Sequence, residues 1–144
     1  MNILRLAPPL LLALAACSTT PLPPKAGDAS LAGKIGSGDG SQPMLRVCAL
    51  AVSAGTGRCI EVPAAASSYR IDRLGAGRYY VMGWAKEGDV RVFAHAASVT
   101  CVTAPCNDNL TAVEVADGDT RDGVDLTGTY AKAPAGWPTE PAAD

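Results

Sequence analysis

Between residues 31 and 130 short apolar runs alternate with small and polar punctuation, and no apolar repeat at helical spacing is sustained. Short runs of Val, Ile, Leu and Tyr dominate, and Gly, Asp, Ser and Pro bound them. That pattern marks strands rather than helices. About seven strands are expected, drawn from the segments 31–35, 44–52, 58–62, 69–74, 78–86, 90–98, 111–115 and 123–126, with 31–35 the weakest. The Gly-rich turn 53–57 joins the second and third segments as a hairpin. Gly75-Ala76-Gly77 and Glu87-Gly88-Asp89 turn the chain on either side of 78–86. Gly77 suits a turn position with positive φ.

Segment 78–86 is the most informative. Alternation puts Tyr79, Val81 and Gly83 on one face and Tyr80, Met82 and Trp84 on the other. In one reading Tyr80, Met82 and Trp84 form a core layer, with Tyr79 and Val81 on a partly covered side. In the other they form an exposed aromatic ladder, a candidate binding face for a peptide, glycan or protein.

The first residues differ in kind. Met1–Arg5 carries one positive charge, an apolar run broken by Pro8 and Pro9 follows, and Leu14-Ala15-Ala16-Cys17 precedes the polar Ser18-Thr19-Thr20. Charge, apolar run and small residues at a cut site make a secretory signal over residues 1–16. A membrane-spanning helix needs about 20 apolar residues, and this run is roughly half that. Leu-Ala-Ala-Cys resembles the bacterial lipobox. The resemblance implies that Cys17 receives lipid, that the chain is cut before it, and that the protein is anchored in the cell envelope. Two or more acyl chains hold a protein firmly where one holds it marginally. Ser18 resembles the residue that sends such lipoproteins to the outer membrane. Residues 17–30 are rich in Pro, Ala, Ser and Thr and read as a flexible tether, and 131–144 as an irregular Pro-rich tail, leaving 31–130 as the folded domain.

Tyr69-x-Ile71-x-x-Leu74-x-x-Gly77-x-Tyr79-x-Val81-x-Gly83 resembles the signature of carboxypeptidase regulatory-like and transthyretin-like domains. Gly33-Lys34-Ile35 is similar to their first strand, and Asp119-Thr120 with Gly123-Val124-Asp125-Leu126 to their closing strands. The resemblance implies an all-β fold, a seven-stranded Ig-like (prealbumin-like) β-sandwich. Its motifs are turn and core positions, and it carries no catalytic residues to this chain.

Charge limits the partners. Twelve Lys and Arg against 14 Asp and Glu give a net charge of −2, with no basic cluster. A nucleic-acid groove and a polybasic membrane patch are therefore not expected, and membrane attachment falls to the lipid on Cys17.

Five cysteines are present, and lipidation of Cys17 leaves four, an even number suited to an oxidising compartment. Four cysteines allow three pairings. Cys48 and Cys59 stand on the two arms of one hairpin, and Cys101 and Cys106 enclose a short loop. The spacing favours Cys48–Cys59 and Cys101–Cys106. Neither pair has the CxxC spacing of zinc or redox sites.

His95, the only histidine, sits mid-strand with no nucleophile motif beside it, so no catalytic residue is assigned. Asp117, Asp119, Asp122 and Asp125 hint at a calcium loop. Arg121 and Gly128 stand where an EF-hand needs oxygen ligands, and an acidic turn explains the run better. No metal and no cofactor is expected. The reading is an envelope lipoprotein, not an enzyme, whose sandwich binds or scaffolds an envelope protein or glycan. The alternative is a periplasmic inhibitor of a protease or lysozyme, with 100–109 as its protruding loop.

Overall fold

The computed structural model describes residues 26–36, 41–97 and 108–143. The leader, Cys17, the tether up to residue 25, Cys101, Cys106 and most of the 100–109 loop lie outside the described residues. The regular structure described is entirely β. Eleven strands follow in order: β1 (Ala29–Lys34), β2 (Leu45–Ala51), β3 (Gly57–Val62), β4 (Ser68–Leu74), β5 (Gly77–Ala85), β6 (Val92–Ala94), β7 (Ala96–Ala97), β8 (Asn109–Leu110), β9 (Val113–Val115), β10 (Thr120–Arg121) and β11 (Gly128–Tyr130).

They pair into a three-stranded sheet, β10-β1-β4, a six-stranded sheet, β11-β6-β5-β2-β3 with β9 also on β5, and the small pair β7-β8. The longest ladder joins β2 to β5 through seven antiparallel pairs, from Leu45–Ala85 to Ala51–Tyr79. The far edge of β5 is shared: β6 lies along Met82–Trp84 and β9 along Gly77–Tyr79. Period-two alternation then sorts the side chains. Leu45, Val47, Tyr79 and Val81 turn inward and meet Leu31, Tyr69 and Ile71 of β1 and β4 in the main core between the two large sheets. Each such aliphatic side chain contributes roughly 1.5–3 kcal/mol on full burial.

The last third of the chain closes this core along β1. Ser30 N–H donates to Asp119 O (2.8 Å), Val124 N–H to Ala32 O (3.0 Å) and Leu126 N–H to Lys34 O (2.9 Å). β10 runs parallel to β1, and Leu126 bridges Ile35 in the same sense. Gly33 makes the approach feasible, because a Cβ there would sit 2.1 Å from the carbonyl oxygen of Val124. The buried Tyr69 hydroxyl donates to that same carbonyl. Burial, and secondarily the Asp125 carboxylate, hold the Tyr69 phenol far above its ordinary pKa, so it remains a donor.

The corner between β4 and β5 is pinned by the Tyr79 hydroxyl, which donates to Gly75 O at 2.7 Å. The left-handed residue here is Arg73 (φ 62°), whereas Gly77, expected to need positive φ, has a nearly extended φ of 159°. The reason is a bulge. Asp72 and Arg73 together face Ser30, because Ala29 pairs with Leu74 and Leu31 with Ile71.

Three segments depart from expectation. The stretch 90–98 is not one strand: β6 stops at Ala94 and β7 starts at Ala96, because the chain changes sheet at His95. The stretch 111–115 narrows to β9, preceded by β8. Residues 123–126 form a single bridge at Leu126, and the strand after them is β11, which the pattern did not mark.

Gly33→Ala should lower stability by at least about 1–3 kcal/mol, since backbone must move to admit the methyl group. Urea unfolding followed by circular dichroism checks this. An unchanged midpoint would contradict the close approach of Val124.

Candidate functional site

The outer face of the six-stranded sheet is built row by row. Register aligns Glu61, Arg46, Trp84, Val92 and Tyr130 across the sheet, and next to them Cys59, Cys48, Met82 and Ala94. The apolar members of these rows belong to a second apolar cluster. Cys48, Leu50, Met82, Trp84, Val92 and Ala94 are buried, with Leu110, Tyr130, Ala133 and Trp137 packed on them. Residues 131–143 carry no strand and fold back as a strap. The Trp137 ring meets Tyr130 edge-on at 5.0 Å, and the Arg46 guanidinium donates to Pro141 O (2.6 Å) and Ala142 O (3.0 Å).

The candidate binding face Tyr80, Met82 and Trp84 is therefore mostly covered. Met82 is fully buried, Trp84 is 9% exposed, and Tyr80 is half-buried. The sides also differ from the core-layer expectation. Tyr79 and Val81 face the intersheet core, and Met82 and Trp84 face the strap. Strand alternation separates two faces but does not say which one meets the second sheet.

The cystine Cys48–Cys59 lies in this second cluster. Ala51 N–H donates to Thr56 O at 2.8 Å, and this fixes the phase of the ladder. Ala49–Arg58, Val47–Ile60 and Leu45–Val62 are then hydrogen-bonded pairs, and Cys48–Cys59 is a non-bonded pair, where side chains stand closest.

The other candidates for chemistry are occupied structurally. The His95 Nδ1 lies 2.9 Å from Asp125 O, while its backbone N–H donates to Val81 O (3.0 Å) and its C=O accepts from Thr111 N–H (2.9 Å). In the acidic run, Asp125 accepts from Lys34 N–H (2.8 Å) and Asp119 from Ala116 N–H (3.1 Å). Asp119 closes a local turn and Asp125 ties its segment to β1, so the two carboxylates serve the fold separately. Among the described residues no three His, Cys, Asp or Glu side chains gather for a metal. The Tyr130 hydroxyl donates to Asp108 at 2.6 Å, and burial together with that bond raises its phenol well above the ordinary value.

The feature that sequence reasoning missed is a groove at the side of the sandwich. The three-stranded sheet ends at β4 and the six-stranded sheet at β3, on the same side. Between them opens a cleft of about 1150 Å³, with Arg58, Arg73 and Lys86 on its walls and Gly75 and Tyr79 among its lining. Register puts Arg58 on the inward face of β3 with Ile60 and Val62. Among the described residues Arg58, Arg73 and Lys86 form no ion pair. A cation at an inward position of the predicted 58–62 strand was the available signal. That β3 is an edge strand could not be read from the sequence.

Comparison with protein-family models, curated proteins and solved structures finds no match to this chain.

Replacing both Cys48 and Cys59 by Ala should cost about 2–3 kcal/mol, from the loop the bond closes in the unfolded chain. Differential unfolding with and without reductant checks it, and identical midpoints would contradict it. Trp137→Ala should uncover Trp84, shift its emission to the red and lower stability by about 1–3 kcal/mol. Unchanged emission would mean that the strap does not cover the sheet.

Proposed function

We propose that the protein is a cell-envelope lipoprotein, anchored through Cys17, whose β-sandwich is a non-catalytic binding or scaffolding module. Strand β3 is the observation that carries this reading. It holds Cys59 in a disulfide, as an oxidising compartment permits, and it flanks an open groove. The Leu14-Ala15-Ala16-Cys17 motif supplies the anchor, and the small residues before Cys17 fit the narrow cleft of a processing peptidase. With a net charge of −2 and no run of basic residues along the sequence, the chain relies on lipid for its membrane attachment.

The sandwich is of the carboxypeptidase regulatory-like or transthyretin-like kind, a seven-stranded Ig-like arrangement extended by short edge pairs. Convergence of the resembling residues supports this. Gly33 admits Val124, Tyr69 binds the carbonyl of Val124, and Tyr79 pins the turn at Gly75. Such a hydroxyl-to-backbone corner belongs to Greek-key sandwiches. The partner is an envelope protein or glycan.

Cys17→Ala should move the protein from the membrane fraction to the soluble envelope fraction, and the wild type should carry lipid mass on its amino-terminal peptide. Fractionation and intact-mass spectrometry read both. A variant that stays with membranes, beside a wild type without lipid mass, would overturn the anchor.

A further inference from the structure

We propose that the open edge of β3 binds an extended acidic peptide, which adds as a further strand to the six-stranded sheet. This rests on the binding-module reading and supplies its site and the chemistry of its partner. Because Ala49–Arg58, Val47–Ile60 and Leu45–Val62 are the bonded pairs with β2, the N–H and C=O groups of Gly57, Cys59 and Glu61 point away from β2. They meet no hydrogen-bond partner among the described residues. Alternate residues on one edge are spaced as an incoming strand requires.

The edge is also pre-ordered. Its central residue, Cys59, is tied to β2 by the cystine, so little ordering remains to be done on binding. β3 lacks proline, and it is six residues long. An inward charge such as Arg58 is one known way to protect an edge strand. Protection alone does not account for Arg73 and Lys86, which join Arg58 in the same groove from β4 and from the chain after β5. Of the anions there, Glu140 is already drawn to Arg46 at 3.9 Å, which leaves Glu61 against three cations that form no ion pair among the described residues. That imbalance selects carboxylates on the incoming strand and opposes a second copy of this chain, which would bring the same cations together.

The test uses the full-length protein in nonionic detergent and fluorescence anisotropy of a labelled (Glu-Thr)5 peptide. Three controls accompany it: (Lys-Thr)5, the acidic peptide with alternate backbone nitrogens methylated, and the variants Arg58→Glu/Arg73→Glu and Glu61→Pro. The Glu61 N–H faces outward, so proline removes an edge donor without breaking the ladder to β2. Saturable binding of the acidic peptide is expected. Charge reversal should weaken it by about tenfold or more, and methylation and Glu61→Pro should abolish it. Retained binding of the methylated peptide, equal binding of the lysine peptide, or no effect of charge reversal overturns the assignment. So does a peptide-blocked dimer through β3. No peptide binding, with in-cell crosslinking to an envelope partner elsewhere on the surface, overturns the groove and leaves the binding reading standing. Neither binding nor crosslinking overturns both.

Discussion

Seven consecutive residue pairs between β2 and β5 are the interaction on which the remaining structure depends. This ladder is the middle of the six-stranded sheet, and both of its faces are apolar. The inner face, through Leu45, Val47, Tyr79 and Val81, supports the three-stranded sheet. The outer face, through Cys48, Leu50, Met82 and Trp84, supports the strap and its Trp137. A strand buried on both sides gains from each apolar residue, but it also requires every backbone group to be paired. β5 meets that demand with β2 on one edge and with β6 and β9 on the other. The His95 N–H bond to Val81 O fills the interval between them.

That arrangement leaves few places for a partner. The inner face is closed by β1 and β4, the outer face by the strap and Leu110, and the far edge of β5 is occupied. β3 lies at the limit of this paired system. Its own position depends on the β2–β5 ladder, and the cystine transmits that order to its centre. Arginine and lysine around the groove give the edge a sign that the chain as a whole, with a net charge of −2, does not have. Local charge, not the total, decides which partner approaches.

Much of the fold was legible in the sequence where interactions are local. The β2–β3 hairpin, the β4–β5 corner and the split of Tyr79 and Val81 from Met82 and Trp84 all follow from turn residues and period-two alternation. The Cys48–Cys59 pairing followed from the same hairpin. The rest depends on partners distant in sequence. His95 ends β6 because its backbone groups go to Val81 and Thr111, and no pattern around His95 announces either. Residues 123–126 look like a strand, yet they cross Gly33 and meet β1 by isolated bonds. Arg73, not a glycine, takes the left-handed conformation because a bulge against Ser30 needs an extra residue there. Proline spacing makes the tail read as irregular, and residues 131–143 carry no strand. Its return to the sheet depends on Trp137 meeting Tyr130 and on Arg46, 91 residues before Trp137, holding its carbonyls. The groove was illegible for a similar reason, since a strand becomes an edge only through what fails to pair with it.

Residue-resolved amide exchange along β3 reads the open edge without any ligand. An unpaired edge gives alternation: slow exchange at Arg58, Ile60 and Val62, whose N–H groups bond to β2, and fast exchange at Gly57, Cys59 and Glu61. Uniform protection across all six residues would mean that another segment already pairs with this edge, and β3 would not be open.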